Sequence, residues 1–192
     1  MALDDKARLK KLIIDRALVV SRDPITLSSG FETNHYFDLK KVTSDAEGLR
    51  LVSVLMIEEI AKLGKAKSVG GLEIGAIPIA IGISRESLGS ENMHSFFVRK
   101  QPKAHGLRNQ IEGDVIEPVV IVDDVITKGD SVLKAIEAIK SKWKHMLGVV
   151  SIIDRGGGKQ NLQANWKIKH VSLFEDEDFE EAVKERLANL NA

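Results

Sequence analysis

The stretch from Val119 to Ser131 limits what this chain can fold into more than any other part of the sequence. It opens with four apolar β-branched residues, Val119 to Val122, and such a run is typical of a strand buried on both faces in a parallel sheet. Two carboxylates, Asp123 and Asp124, come next, followed by a polar turn that opens a helix. This unit predicts an α/β fold with the acid pair and the turn at the carboxyl edge of the sheet, where such folds bind ligands.

The polar turn has the residues of a phosphate site. Thr127 and Ser131 supply hydroxyl groups, and Gly129 leaves the backbone unhindered at a helix start, where N–H groups bind anions. Asp123 and Asp124 would repel phosphate, so they suit ligand hydroxyl groups or a cation that accompanies the phosphate. An acid pair at a strand end often only caps a turn, but the adjoining phosphate turn favours a ligand. Because the dinucleotide and P-loop glycine signatures are both missing, the combination predicts a phosphorylated sugar.

Five potential cations fall within ten residues of a long segment, 99–114, that has no clear periodicity. They are Arg99, Lys100, Lys103, His105 and Arg108. A solvated basic loop explains many such runs, and nucleic-acid binding is disfavoured because no aromatic residue alternates with the charges to stack on bases. The remaining interpretation is a cationic lid over a polyphosphate, because a pyrophosphate leaving group needs positive charge as its bond breaks. The phosphate turn favours the lid.

Arg155 stands between a β-prone run and three glycines, Gly156 to Gly158. On the expected topology it lies at the same sheet edge as the acid pair. Its planar guanidinium suits a ligand carboxylate, which arginine binds through two parallel hydrogen bonds. A surface arginine before a flexible turn explains the pattern equally well, so the sequence leaves both interpretations open. For Tyr36 and Phe37, the residues alone favour a place in the core over a place in a ligand site.

Composition indicates an ordinary soluble globular chain of 192 residues. We expect it to form a single domain, 1–192. Within that domain, about residues 1–43 should contribute an N-terminal helix and a small hood. Lysine plus arginine equals aspartate plus glutamate at 28 each, so the net charge gives no reason to expect a nucleic-acid partner. The absence of cysteine excludes disulfides and thiolate chemistry. No apolar run approaches the roughly 18 residues of a membrane span, and the charged N-terminus is unlike a signal peptide. We therefore expect a cytoplasmic protein without a membrane partner.

Apolar periodicity predicts an alternation of strands and helices. A helix is expected at 4–18, ended by Asp23 and Pro24, then two β-prone runs at 25–30 and 35–39 around a turn. A capping box from Ser44 to Glu47 predicts the start of the next helix, which stops at Gly64. Further strands are expected at 67–71, 93–98, 119–122, 147–153 and 168–174, with helices at 76–88, after Ser131 and from Phe179. This rhythm predicts a mostly parallel sheet with helices on both faces.

Four stretches also resemble a known family. Val120 to Ser131 resembles the 5-phosphoribosyl 1-pyrophosphate motif of type I phosphoribosyltransferases, and three others are similar to signatures of the orotate phosphoribosyltransferase family. Those three are Ile25–Gly30 with Tyr36–Asp38, Phe97–Gly106, and Asp154–Gly156. All four keep the family's order along the chain. The resemblance implies the type I phosphoribosyltransferase fold with an N-terminal hood subdomain.

The resemblance also implies a reaction and its partners. The family transfers ribosyl phosphate from 5-phosphoribosyl 1-pyrophosphate to N1 of orotate, which gives orotidine 5′-monophosphate and pyrophosphate in pyrimidine synthesis. It uses Mg²⁺ that the donor's pyrophosphate and ribose carry, so no direct protein ligand of the metal is implied. Because the site offers no convincing nucleophile, direct displacement through an oxocarbenium-like state is favoured over a covalent intermediate. A homodimer with shared active sites is implied as well.

Family roles fall on matching positions of this chain. Asp123 and Asp124 would contact the ribose hydroxyls, and Arg155 would bind the orotate carboxylate. The 5′-phosphate would be held by Thr127, Lys128, Gly129, Asp130 and Ser131. The pyrophosphate would be contacted by Arg99, Lys100, Lys103 and His105, of which Lys103 and His105 are implied in catalysis together with the acid pair. Tyr36 and Phe37 would pack on the orotate ring.

This chain departs from the family pattern at two positions. Ser28 and Gly75 stand where many members have lysine, and Arg108 and Lys128 are candidates to replace the lost charge. Two alternatives remain to be weighed against the orotate enzyme. A transferase for a purine or another pyrimidine base is disfavoured by Arg155 and the aromatic stretch. A non-enzymatic, donor-responsive regulator of nucleic acid is disfavoured because only residues 1–24 precede the first signature.

Overall fold

A computed structural model describes residues 2–26, 30, 32–101, 110–140 and 145–191 of the chain. Its strands are β1 (Leu18–Thr26), β2 (Glu32–Phe37), β3 (Ser68–Leu72), β4 (His94–Val98), β5 (Ile111–Gly113), β6 (Val119–Ile126), β7 (Met146–Asp154) and β8 (His170–Glu175). Six of them form the central sheet in the order β5-β4-β3-β6-β7-β8, and only the β4–β5 pair is antiparallel. The mostly parallel sheet expected from the sequence is confirmed.

Helices alternate with these strands along the chain. They are α1 (Ala2–Arg16), α2 (Lys40–Thr43), α3 (Ala46–Leu63), α4 (Ala76–Glu86), α5 (Asp130–Ile139), α6 (Gly158–Gln160) and α7 (Glu180–Asn191). A π-helical turn, Asn161–Asn165, continues α6, and a 3₁₀ turn, Asp176–Phe179, leads from β8 into α7. Among the described residues, no helix is both long and apolar enough to cross a membrane.

Strand β6 is buried on both faces, as its unbroken apolar run predicts. Val120 and Val122 belong to one hydrophobic core, and Val119 and Ile121 to a second core on the opposite face of the sheet. Helices α3 and α4 supply the first core with residues that include Leu51, Met56, Ile79 and Ile83, whereas α5 supplies the second with Val132, Ala135 and Ile139. Helices therefore cover both faces of the sheet, which confirms the expected fold class.

The hood is an antiparallel pair of strands, β1 and β2, and it begins earlier than the sequence predicts. Helix α1 ends at Arg16 and β1 starts at Leu18, so the expected helix end at Asp23 and Pro24 is wrong. The register between β1 and β2 shifts between Val20 and Ile25. Proline lacks an N–H and is tolerated in a strand at such irregularities, so Pro24 interrupts the ladder without ending the strand.

Helix α3 is capped by Asp45, not by Ser44 as the capping-box spacing predicts. The Gly48 N–H donates to Asp45 Oδ1 at 2.9 Å, whereas Ser44 follows the last turn of α2. A short helix directly upstream therefore takes up Ser44 and moves the cap by one residue. The predicted stop at Gly64 is confirmed, because the Gly64 N–H donates to the Ile60 carbonyl as the helix ends.

The segment 99–114 was expected to lack regular structure, and that expectation is wrong at its far end. Strand β5 pairs with β4 through Phe97 opposite Glu112 and Val98 opposite Ile111. Gly113 has a φ of +84°, and a Cβ there would lie 2.5 Å from the Ser95 carbonyl oxygen, so this strand closes tightly on β4. Both ends of the basic segment are consequently fixed to the edge of the central sheet.

Candidate active site

The acid pair lies inside strand β6, not after it as the sequence predicts. Strand β7 continues to pair with β6 past the apolar run, with Asp123 opposite Ser151 and Val125 opposite Ile153. The main-chain N–H of Asp124 donates to Asp123 Oδ1 at 3.0 Å, and that of Val125 donates to Asp124 Oδ1 at 2.8 Å. These local bonds hold both carboxylates at the carboxyl edge of the sheet, where the sequence placed the ligand site.

The two carboxylates have different surroundings. Asp123 is only 7% exposed, whereas Asp124 is half-buried. Burial raises the pKa of the Asp123 carboxyl well above its ordinary value, and the nearby Asp124 charge raises it further. Asp123 is therefore the member of the pair that keeps a proton more readily than an ordinary aspartate, and Asp124 is the one more open to the site.

The loop between β3 and α4 packs directly against Asp124. A Cβ on Gly75 would lie 2.6 Å from Asp124 Oδ1 and 2.7 Å from Oδ2, which is closer than real contacts allow. Gly75 is one of the two positions where many family members carry lysine. In this chain the carboxylate of Asp124 occupies the space that a side chain at position 75 would need, which gives a structural reason for the glycine.

The polar turn after β6 lines a cavity of about 800 Å³. Gly129 has a φ of +83° and precedes the first residue of α5, so the turn presents the helix N-terminus. The predicted phosphate residues on the cavity wall are Thr127, Gly129, Asp130 and Ser131. Lys128 is exposed and is not part of this wall, and its carbonyl accepts a hydrogen bond from Asn161 Nδ2 at 2.5 Å. Its role in phosphate binding stays a prediction.

Lysines on two elements face the same cavity. Lys100 lies at the start of the basic segment, and its N–H donates to Glu73 Oε1 at 2.8 Å. Lys134 lies on α5, three residues after Ser131, and was not predicted. Its position one helical turn beyond the phosphate turn was the available signal. Arg99 instead pairs with Glu112 of β5 at 3.6 Å, while three other predicted cations lie outside the described residues: Lys103, His105 and Arg108.

A second cavity of about 450 Å³ lies between the hood and the sheet. Its lining includes Tyr36, Phe37, Asp124 and Arg155. Phe37 is 2% exposed and its ring centre lies 4.9 Å from that of Phe179, so it is mainly a core residue, whereas Tyr36 is 37% exposed. The wall residues common to both cavities are Asp123, Val125, Thr127 and Ser131. Asp123 thus lines both the cavity of the polar turn and the cavity that contains Arg155 and Tyr36, and Asp124 lines the second of these.

Arg155 is not the surface arginine that the sequence left open. Its side chain is 3% exposed, and its guanidinium carbon lies 5.5 Å from the centre of the Phe37 ring. Nε donates to Asp176 Oδ1 at 3.1 Å, and both terminal nitrogens donate to groups of Thr33 and His35. The sequence alone singled out none of these three partners for the site.

Asp176 is held in its charged form by its neighbours. Burial alone would raise its pKa, but the hydrogen bond with His35 and the charge of Arg155 outweigh burial and lower the pKa below its ordinary value. The same turn also carries a capping contact, since the Glu175 N–H donates to Asp178 Oδ2 at 2.9 Å. Within this one turn, Asp178 therefore provides the capping contact and Asp176 contacts Arg155.

A magnesium ion could reach this site with a phosphorylated ligand. Within the described residues there is no group of three or more histidine, aspartate or glutamate side chains placed to hold a metal. Mg²⁺ is commonly bound by one or two carboxylates together with substrate phosphates and water, without an all-protein cage. Asp123 and Asp124 beside the phosphate turn fit that arrangement.

Similarity to known proteins decides the family. No family model matches the chain. The orotate phosphoribosyltransferase of Aquifex aeolicus (strain VF5) is 39% identical over 179 residues, a region that covers 91% of this chain and 97% of that protein. The chain belongs to the orotate phosphoribosyltransferase family. The orotate phosphoribosyltransferase of Rhodopseudomonas palustris (strain TIE-1) is 37% identical over 181 residues and covers 91% of this chain.

Solved structures of orotate phosphoribosyltransferases have the same fold. One from Mycobacterium tuberculosis H37Rv, in complex with Fe(III) dicitrate, superposes with a TM-score of 0.76 at 31% identity, covering 92% of this chain and 99% of that one. The same enzyme in complex with 5-phospho-alpha-D-ribosyl 1-diphosphate gives a TM-score of 0.71 at 29% identity, with 98% and 99% covered. These similarities confirm the family and the type I phosphoribosyltransferase fold that four short stretches implied.

Proposed function

We propose that this member of the orotate phosphoribosyltransferase family transfers ribosyl phosphate from 5-phosphoribosyl 1-pyrophosphate to N1 of orotate. The products are orotidine 5′-monophosphate and pyrophosphate, within pyrimidine synthesis. The observation that carries the proposal is the meeting of two cavities at the acid pair of β6. One cavity has a phosphate turn and two lysines, and the other has a buried arginine beside aromatic side chains.

The donor fits the larger cavity. The turn from Thr127 to Ser131 receives the 5′-phosphate at the N-terminus of α5, where backbone N–H groups and the helix dipole favour an anion. Asp123 and Asp124 accept hydrogen bonds from the ribose hydroxyls. Lys100 contributes positive charge on the pyrophosphate side, and the predicted contributions of Arg99, Lys103 and His105 belong to the same side.

The acceptor fits the hood cavity. Arg155 receives the orotate carboxylate, because a guanidinium is the side chain best matched to a planar carboxylate. Tyr36 offers the exposed aromatic surface for the ring, with Phe37 beneath it in the core. A base without a carboxylate would gain nothing from the terminal nitrogens of Arg155, whereas orotate supplies the anion that this fork binds best. This arrangement favours orotate over uracil, hypoxanthine and adenine.

The chemistry is a direct displacement at C1 of the ribose. The bond from C1 to the pyrophosphate oxygen breaks and its electron pair leaves with pyrophosphate. N1 of orotate forms the new bond to C1 with its electron pair and gives up its proton to the solvent. Positive charge develops on the ribose meanwhile, and the Asp124 carboxylate stabilises it from the side of the hydroxyls. Mg²⁺, when carried in by the donor, neutralises part of the pyrophosphate charge.

We further propose a homodimer in which a second copy covers the outer face of α4. Ile74, Ile81 and Leu88 are 64%, 52% and 76% exposed. Ile81 lies on α4, whereas Ile74 lies in the turn before the helix and Leu88 in the turn after it, so exposed apolar side chains occur along the helix and at both of its ends. Sedimentation at equilibrium tests this proposal, and a monomer at all concentrations would contradict it.

A single domain spanning residues 1–192 and a cytoplasmic location are proposed on sequence grounds.

The proposed activity is tested by pyrophosphate release from 5-phosphoribosyl 1-pyrophosphate with four acceptors, with and without Mg²⁺. Orotate should support turnover, and uracil, hypoxanthine and adenine should not. Turnover with a purine but not with orotate would favour the alternative transferase. Donor binding without turnover on any base would favour the non-enzymatic regulator. Either result would refute the proposed reaction.

A further inference from the structure

Arg155 is held by contacts that come from two sides. From the turn after β8, Asp176 Oδ1 accepts from Nε at 3.1 Å. From hood strand β2, the His35 carbonyl accepts from Nη1 at 3.3 Å and Thr33 Oγ1 accepts from Nη2 at 3.2 Å. The His35 ring nitrogen Nε2 lies 2.8 Å from Nη2. Asp176 Oδ1 also lies 3.0 Å from that ring nitrogen, so one carboxylate oxygen joins the arginine to the hood.

These contacts use most of the guanidinium's hydrogen-bonding capacity. The group has five N–H donors, and oxygen atoms accept three of them, one on Nε, one on Nη1 and one on Nη2. The His35 ring, 2.8 Å away, closes off the rest of Nη2. One N–H of Nη1 is left for a ligand. A carboxylate that binds through both terminal nitrogens must replace Thr33 or His35 on Nη2, but it need not displace Asp176 from Nε.

We propose that Asp176 is a positioning residue for the acceptor, which it affects only through Arg155. With Nε held by Asp176, the guanidinium cannot turn about its long axis, and its terminal nitrogens stay directed toward the hood cavity. A ligand carboxylate can then replace Thr33 or His35 at the terminal nitrogens of Arg155, while these nitrogens keep their direction. This inference rests on the proposed function, since the ligand carboxylate is that of orotate.

The charge of Asp176 matters as well as its shape. The side chain of Arg155 is 3% exposed, so its positive charge has little help from water. Among the described residues, Asp176 is the acidic side chain that pairs with Arg155, at 3.1 Å, and hydrogen bonds between charged groups are stronger than those between neutral groups. Without that anion, the buried guanidinium would lose both its orientation and its charge balance before the acceptor arrives.

The test compares steady-state constants of wild type, Asp176→Ala and Asp176→Asn. Asp176→Ala should raise the KM for orotate at least tenfold, about 1.4 kcal/mol, with little change in the KM for the donor. Asp176→Asn keeps the shape and the acceptor oxygen but not the charge, so it should give a smaller rise. It also serves if the alanine variant does not fold. Asp178→Ala is the matched control: it removes a cap from the same turn without touching Arg155 and should leave the KM for orotate unchanged.

A double-mutant comparison separates positioning from general damage. In an Arg155→Ala background, adding Asp176→Ala should change the KM for orotate little, because the two residues act through one contact. Equal effects of Asp176→Ala in both backgrounds would overturn the inference, and so would a normal KM in Asp176→Ala. Wild-type protein that does not use orotate would overturn the proposed function and this inference together, whereas the previous outcomes overturn the inference alone.

Discussion

Replacing Asp123 by asparagine should make the folded protein more stable while it lowers activity. Asparagine has the same shape, and its side-chain oxygen can still accept the Asp124 N–H that Asp123 Oδ1 now accepts at 3.0 Å. The substitution removes a carboxyl that is 7% exposed and stands beside another carboxylate. Keeping such a buried carboxyl at a functional site lowers the stability of the folded protein, and this loss is tolerated because the group is needed for function.

The sign and the pH range follow from the pKa of Asp123, which burial and Asp124 raise well above the ordinary value of 3.8. Between 3.8 and the raised value, the folded protein binds more protons than the unfolded chain, so the free energy of unfolding falls as pH rises. Each unit of raised pKa corresponds to about 1.4 kcal/mol. We therefore expect Asp123→Asn to be more stable than wild type at pH 8, by an amount that shrinks progressively toward pH 4.

Urea unfolding of wild type and Asp123→Asn, measured between pH 4.5 and 8, checks this expectation. The stability difference should widen as pH rises, and melting temperature should increase by roughly 2–4 °C per kcal/mol. Asp114→Asn, on an exposed aspartate, is the matched control and should show no such widening. If Asp123→Asn were less stable than wild type at pH 8, the folded protein would favour the ionised carboxylate, and the reasoning would be refuted.

Three further variants test other parts of the account. Lys103→Ala should lower turnover roughly a hundredfold, as expected for a lost charge on the leaving group, with little change in the KM for the donor. Gly75→Ala should displace the Asp124 carboxylate and lower kcat/KM for the donor roughly tenfold, the loss of one charge-assisted hydrogen bond. The fold should tolerate it because the side chain of Asp124 can rotate. Asp45→Ala should lower the melting temperature by a few degrees without affecting turnover. That effect should fade as pH falls from 3.8 through the lowered pKa of Asp45, because the Gly48 N–H stabilises the charged carboxylate in the folded protein.

Each of these predictions can fail clearly. Wild-type turnover in Lys103→Ala would show that the basic segment does not act on the leaving group. Unchanged donor kinetics in Gly75→Ala would separate Asp124 from ribose binding. For Asp45→Ala, a melting-temperature loss that stays constant as pH falls from 3.8 through the lowered pKa of Asp45 would point to lost packing and not to the charged cap.

Local signals made the core of the site predictable. The apolar run of β6 has to be buried on both faces, and residues next to it in sequence are next to it in space, so the acid pair and phosphate turn were placed correctly from sequence. The end of strand β6 was not placed correctly, because its pairing with β7 extends the strand past Asp123. Ser44 and Asp45 are adjacent capping residues, and only the presence of α2 decides between them.

Features that depend on contacts between residues far apart in the chain could not be predicted from the sequence. His35 and Asp176 are 141 residues apart in the chain, and the topology alone brings both to Arg155. Strand β5 is three residues long and forms because β4 offers it an edge, not because its residues favour a strand. The burial of Arg155, which separates the two interpretations left open from sequence, depends on the same long-range packing.

The configuration of the nucleotide product tests the central claim most directly. Direct displacement on the α-configured donor inverts C1, so orotate and 5-phosphoribosyl 1-pyrophosphate should give orotidine 5′-monophosphate with the β configuration, in equal amount to pyrophosphate. Proton NMR of the ribose H1 signal, with mass spectrometry of the product, measures both. A product of retained configuration, or ribose 5-phosphate without any nucleotide, would contradict the account.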